Sequence, residues 1–205
     1  MLKHKKTVVF DFGGVLLDWN PRYLFNKVFS TPEQVENFLS HANFASFNAQ
    51  ADEGRSFESI FSEVSQKTPE HLDAFKVFPK RFLESLSGPI WDNVFLLESL
   101  KKQNIPLYGL TNWSRETFPL AYDAYPFFKH FDGILVSGEE HLAKPDPKIF
   151  HRLCEKFKLH PELCFFLDDN PDNIRVAREL GFNAYQIHAK NPDLTDTLQK
   201  WLGDL

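Results

Sequence analysis

Only two cysteines occur in the 205 residues, Cys154 and Cys164. They are not at the spacing of a metal-ligating pair, and both are expected to be reduced packing residues of a cytoplasmic protein. A cationic excess is also lacking: 23 Lys and Arg stand against 28 Asp and Glu, for a formal net charge of -5. That removes the electrostatic footprint expected of a protein that binds nucleic acid or an anionic membrane surface. Long hydrophobic runs are missing too. The opening Met1-Leu2-Lys3-His4-Lys5-Lys6 is basic, but the apolar stretch after it, residues 7–17, is too short to span a bilayer and carries Asp11. Neither a signal segment nor a membrane span is expected. Internal repeats, low-complexity tracts and long linkers are absent as well.

What remains is an ordinary globular composition, 42% hydrophobic and 25% charged, in a chain long enough for one core plus a small accessory domain. Phenylalanine is the abundant residue, with 22 copies. Most are expected to fill the core, because aromatic rings bury large apolar areas. The alternative is that some line an apolar substrate pocket.

Short β-branched and aromatic runs recur at residues 7–10, 106–110, 133–136, 164–167 and 184–187, each ending at polar residues or glycine. Helical patterns fall between them, near residues 93–103, 115–122, 147–158 and 171–180. Strands alternating with helices indicate an α/β fold, a doubly wound parallel sheet covered on both faces. The nearly continuous apolar character of the runs agrees, because such strands are buried on both sides. Residues 18–88 break the alternation. Helices are expected at residues 21–29, 32–39, 57–65 and 69–86, and no strand is evident. This reads as an all-helical insertion directly after the first strand.

The run Val8-Val9-Phe10-Asp11-Phe12-Gly13-Gly14 places a carboxylate at the carboxyl end of a buried strand, where open α/β sheets bind ligands. Asp11 can serve there as a nucleophile and as a metal ligand. Three later segments follow or close predicted strands: Leu110-Thr111-Asn112, Lys144-Pro145 and Leu167-Asp168-Asp169-Asn170. Each has a plain structural reading beside the chemical one. Thr111-Asn112 suits a turn, Lys144 suits a solvated surface, and Asp168-Asp169-Asn170-Pro171 suits a helix cap.

Taken together and in this order, the four segments resemble the haloacid dehalogenase-like hydrolases, over residues 7–186. The resemblance implies a Rossmann-like core of residues 1–17 and 89–205, with residues 18–88 forming a helical cap that closes over the site. It implies Mg²⁺ held by Asp11, the Gly13 carbonyl and Asp169, with Asp168 supporting through a neighbour or a water. It further implies that Thr111 and Asn112 hold the transferred phosphoryl group, and that Lys144 offsets the charge of phosphate and of Asp11. The substrate would be a small phosphorylated metabolite, in a manner similar to sugar-1-phosphate phosphatases.

One position departs from the pattern. Phosphatases of the family carry a second Asp two residues after the first, where this chain has Gly13. That residue is the general acid–base. Asp18, Asp52, Glu53 and His41 are the candidates to replace it, unless the leaving group needs no acid. Two other functions fit the same residues. A 2-haloacid dehalogenase also lacks the second Asp, and a non-catalytic binding protein would keep the fold without turnover.

Overall fold

The computed structural model describes residues 5–203; the first four residues of the basic opening and the last two of the chain lie outside it. Among the described residues no helix is long and apolar enough to cross a membrane. The chain runs β1 (Thr7–Phe10), β2 (Leu17–Trp19), α1 (Pro21–Phe25), α2 (Pro32–His41), α3 (Phe44–Asp52), α4 (Phe57–Lys67), α5 (Leu72–Lys80) and β3 (Leu86–Pro89). It continues with α6 (Trp91–Lys102), β4 (Leu107–Thr111), α7 (Phe118–Ala124), β5 (Gly133–Val136), α8 (Ser137–Glu140) and α9 (Pro147–Phe157). It ends with β6 (Cys164–Asp168), α10 (Pro171–Glu179), β7 (Asn183–Gln186) and α11 (Leu194–Gly203).

Five strands form one parallel sheet in the order β5-β4-β1-β6-β7. The chain fills one side of β1 with β4 and β5, then crosses to the other side with β6 and β7. Such a reversal opens a crevice at the carboxyl ends of the strands on either side of it. The two sheet faces follow the period of two of a strand. Val8 and Phe10 join one buried cluster, whereas Val9 joins another with Leu110, Leu135, Ile149 and Phe166. The α/β expectation therefore holds, with helices on both faces of a parallel sheet.

The inserted segment differs in detail from the expected one. It is entered and left through an antiparallel ribbon, β2 against β3, with Asp18 opposite Gly88. This ribbon corrects the expectation of a strandless insertion. Its two strands lie some seventy positions apart, and β3 contains Gly88 and Pro89, so neither has a strand pattern of its own. The long helix expected over residues 69–86 is instead a 3₁₀ turn at Pro69–His71, then α5, then a second 3₁₀ turn at Phe82–Ser85. Helix α1 stops at Phe25 rather than residue 29. Helix α3 is an addition to the expected set; its start is capped by Asn43 in the left-handed conformation, whose side chain accepts from the Ser46 amide.

Phenylalanine explains how such short helices hold together. Phe25, Phe38, Phe44, Phe47, Phe57, Phe75 and Phe78 are all buried. They form a continuous set of ring contacts, including Phe47–Phe75 at 4.3 Å and Phe25–Phe38 at 4.7 Å between centroids. Each such pair adds about 0.5–1.5 kcal/mol beyond area burial. The core reading of these rings is the correct one. Phe82 alone among the inserted segment's phenylalanines also lines the cleft described next.

Candidate active site

Three adjacent strands, β4, β1 and β6, end at the same edge. Asp11 follows β1, and its amide donates to Leu167 O at 2.8 Å, locking it beside β6. Thr111 closes β4 and Asp168 closes β6. Lys144 reaches in from the loop before α9. Its ammonium lies 2.8 Å from Asp11 Oδ1 and 2.6 Å from Asp168 Oδ2, and donates to Leu110 O at 2.9 Å. Its side chain is 1% exposed, so the solvated-surface reading does not apply. All three ammonium protons have acceptors, which is what a buried charge requires.

Asn112 fixes this lysine through its backbone. Asn112 Oδ1 accepts from Lys144 N, and Asn112 Nδ2 donates to Lys144 O, both at 2.8 Å. The Asn112 side chain is thereby committed to the protein. Thr111 is buried at the end of β4 and is not among the residues that line the cleft described next. Asp168 is equally committed: besides Lys144, it accepts from Asn170 N at 2.8 Å and from Asn173 Nδ2 at 2.9 and 3.0 Å.

A cleft of about 330 Å³ opens over Asp11. Gly13, Gly14, Asn112, Lys144 and Asp169 belong to its floor, and Trp19, Asn48, Asp52, Phe82 and Trp113 to its walls. A larger hollow of about 670 Å³ adjoins it across Gly14 and Asp169, but contains neither Asp11 nor Lys144. The smaller cleft is therefore the candidate site. Of the four candidates to replace the missing acid, only Asp52 reaches it. Asp18 accepts from Tyr23 Oη at 2.8 Å and from Ser87 Oγ on the ribbon. His41 ends α2 against Asn37 O, and Glu53 is exposed. Asn48 and Trp113 escaped the sequence reading, because only the docking of α3 onto the sheet brings them here.

Charge in the site is unbalanced. Asp11, Asp168 and Asp169 each offer an oxygen within 4.8 Å of the others, against one ammonium. Burial pushes the Asp11 carboxyl above its usual range, and Asp168 and Asp169 add to this while Lys144 opposes it. Burial and then Asp168 raise Asp169 as well. Burial works against the Lys144 ammonium, but Asp11 and Asp168 outweigh it and hold the pKa above normal.

A divalent cation fits this donor set. With Asp168 saturated, Asp11 and Asp169 remain, and hard carboxylate oxygens are what Mg²⁺ takes. Gly14 makes room for them. It has φ +73°, and a Cβ there would lie 2.4 Å from Asp169 Oδ2. Asn173 Oδ1, beside the same cleft, is a buried acceptor without a hydrogen-bond partner among the described residues.

Residues 5–181 match the haloacid dehalogenase-like hydrolases. A sesquiterpene phosphatase of Aspergillus oryzae is 24% identical over 176 residues, 86% of each chain. A haloacid dehalogenase family enzyme of Bacteroides thetaiotaomicron superposes with a TM-score of 0.72 at 23% identity, over 95% of this chain and 99% of its own. Solved with magnesium and inorganic phosphate, that enzyme gives a TM-score of 0.70 at 21% identity, over 93% and 98%. The L-2-haloacid dehalogenase of Xanthobacter autotrophicus, with chloropropionic acid covalently bound, gives 0.64 at 15% identity, over 96% and 83%. The parallel sheet, the order of its motifs and the family match agree: this chain belongs to the haloacid dehalogenase-like hydrolases.

Proposed function

We propose that this hydrolase is a Mg²⁺-dependent phosphatase, acting on a small phosphorylated metabolite through an aspartyl-phosphate on Asp11. The observation that carries the reading is the imbalance of three converging carboxylates against Lys144 at the floor of the cleft. A 2-haloacid dehalogenase uses a carboxylate nucleophile without a metal, and for it the extra acids would be an uncompensated burden. The phosphatase named among the relatives is in keeping with the proposal.

In this mechanism the Asp11 carboxylate attacks phosphorus, splitting one difficult hydrolysis into two easier displacements. Lys144 holds Asp11 in position and faces the phosphoryl oxygens with a fixed positive charge that needs no reorganisation during reaction. Asp168 and Asn112 act through Lys144, one on its ammonium and the other on its backbone. Mg²⁺, held by Asp11, the Gly13 carbonyl and Asp169, would neutralise the phosphoryl charge and keep Asp11 ionised against the pull of its burial. Residues 1–17 and 89–205 serve as the catalytic core and residues 18–88 as a cap whose wall residues select the substrate. The two free thiols suit a cytoplasmic setting.

The test is phosphate release from sugar phosphates and nucleotides, and halide release from 2-chloropropionate, each with Mg²⁺ or with excess chelator. Phosphate release abolished by chelator and by Asp11→Asn is expected. Chelator-insensitive halide release, or full activity in Asp11→Asn, overturns the proposal.

A further inference from the structure

We propose that Asp52, presented by the last turn of α3, is the general acid–base of this site and does the work of the carboxylate that Gly13 lacks. The inference rests on the phosphatase reading and adds a catalytic residue to it.

Three observations carry it. The first is position. Asp52 and Asp11 line the same cleft, Asp52 on the wall contributed by the inserted segment and Asp11 on the floor. The space beside Gly13 is open, with nothing within 4 Å of where a Cβ would stand. The place where the family's second carboxyl would stand is thus vacant, and Asp52 is an acid that lines the cleft from the inserted segment.

The second is the way Asp52 is held. Asn48, one turn earlier on α3, donates Nδ2 to Asp52 Oδ2 at 2.8 Å. Ser137 Oγ donates to the Asp52 backbone carbonyl. The same Ser137 oxygen accepts from Trp113 N at 2.9 Å, so the sheet edge is tied directly to this residue. Just beyond, Gly54 packs against α8 so closely that a Cβ on it would meet Gly138 O at 2.7 Å. A short way along, Glu116 Oε1 accepts from the Phe57 amide at 2.9 Å. The end of α3 is the segment by which the inserted helices are docked on the core.

The third is the electrostatic setting of the acid. Asp52 is the last residue of α3, where the helix dipole is negative and a carboxylate is disfavoured. No basic residue occupies that last turn. Asp11, Asp169 and Lys144 line the same cleft as Asp52, and Glu53 follows it in the chain. Burial, then Asp11 and Glu53, push its carboxyl up to about 8, with the Ser114 backbone N–H opposing. Asp52 thus carries the proton that a general acid must deliver near neutral pH, as catalytic carboxyls do in apolar or like-charged surroundings.

In the first step, an Asp11 oxygen bonds to phosphorus and the phosphorus–oxygen ester bond breaks. The departing oxygen keeps the electron pair and takes the Asp52 proton, leaving as a neutral alcohol. In the second, a water oxygen bonds to phosphorus, one water proton passes to the Asp52 carboxylate, and the bond to Asp11 breaks. Inorganic phosphate departs, and both residues return to their starting forms.

The experiment uses the full chain with Mg²⁺, wild type and Asp52→Asn, on two probes. The first is p-nitrophenyl phosphate, whose leaving group needs no proton, and the second is glycerol phosphate, whose leaving group does. Loss of the acid should lower kcat on glycerol phosphate by about 10²–10⁴-fold. On p-nitrophenyl phosphate the variant should release one nitrophenolate per site in a rapid burst and then turn over slowly, because only water activation is impaired. A change confined to KM, or equal losses on both probes without a burst, overturns the proposal. Should Asp52→Asn fail to fold, the wild type decides: kcat/KM across aryl and alkyl phosphates should depend only weakly on leaving-group basicity, and a steep dependence overturns the assignment. Wild type inactive on every phosphate ester would instead reject the phosphatase reading.

Discussion

Gly14→Ala separates the backbone's part in the site from that of the metal ligands. Gly14 sits at φ +73°, a left-handed conformation that costs an L-residue roughly 1–2 kcal/mol. In a chain of this size each kcal/mol lowers Tm by about 2–4 °C, so the strain alone predicts a loss of about 2–8 °C. The new methyl would also lie 2.4 Å from Asp169 Oδ2 and 2.8 Å from Asp169 Cγ. To regain van der Waals contact the carboxylate has to retreat by on the order of 1 Å, a displacement that can cost about 10²-fold in rate. The assays are thermal unfolding with chelator and a Mg²⁺ titration of phosphate release. Activity should fall by about that factor, with the half-saturating Mg²⁺ concentration raised. The cycle with Asp169→Ala gives the control: in that background Gly14→Ala should cost only the strain, because the clashing group is gone. A folded Gly14→Ala with an unchanged Mg²⁺ requirement would refute the placement of Asp169 at the ion.

Three further outcomes are expected. Lys144→Met leaves Asp11 and Asp168 facing each other without compensation, so stability should fall by about 3–5 kcal/mol by denaturant titration; a loss below 1 kcal/mol would contradict the buried ion pairs. In the absence of divalent cations, the folded protein keeps a proton on Asp52 between its unfolded pKa of 3.8 and its folded value of about 8. Burial shifts Asp11 and Asp169 in the same direction. The stability these groups contribute should therefore be fully present below the unfolded pKa and be lost as pH rises through this window, so the Tm of wild type relative to Asp52→Asn should fall with rising pH; a difference between the two that does not fall from about pH 5 to pH 8 would contradict these shifts. Finally, Gly13→Asp has open space and ordinary backbone geometry. In an Asp52→Asn background it should restore part of the rate on glycerol phosphate; no recovery in a folded, Mg²⁺-binding variant would mean that the two positions do not share a task.

The parts of this molecule that could be read from its sequence are those whose cause is local. Val8-Val9-Phe10 and Cys164-Phe165-Phe166-Leu167 are strands by residue type alone, and their shared edge follows once the sheet is parallel with β1 at its centre. The convergence of Asp11 and Asp169 was legible because each stands just after such a strand, whereas Lys144, in the loop before α9, was legible only through the family motif it matches. The ribbon of β2 and β3 was not, because its pairing joins Asp18 to Gly88 across five helices. The commitment of the Asn112 amide to the Lys144 backbone was invisible for the same reason. Asp52 was one of four titratable residues in or beside the inserted segment that could replace the missing acid; what distinguishes it is the docking of α3 against Ser137 and Gly138. That docking is a tertiary event with no signature in the neighbouring residues.

Trp113 gives the site an optical property. Its ring is 6% exposed and packs 5.5 Å from Phe82 of the inserted segment and 5.7 Å from Phe118 of the core, with Nε1 donating to Thr117 Oγ1 at 3.2 Å. One indole is thus shared between the two halves of the cleft. Any separation of the halves strips Phe82 from its face and admits water, which shifts its emission to longer wavelength and quenches it. Of the four tryptophans, Trp91 and Trp201 do not line the cleft and are silenced by Trp91→Phe and Trp201→Phe, leaving as emitters Trp113 and Trp19, which lines the same cleft. The unlabelled protein therefore carries its own fluorescent gauge of cleft opening, and stopped-flow mixing with ligand can time that opening against product release.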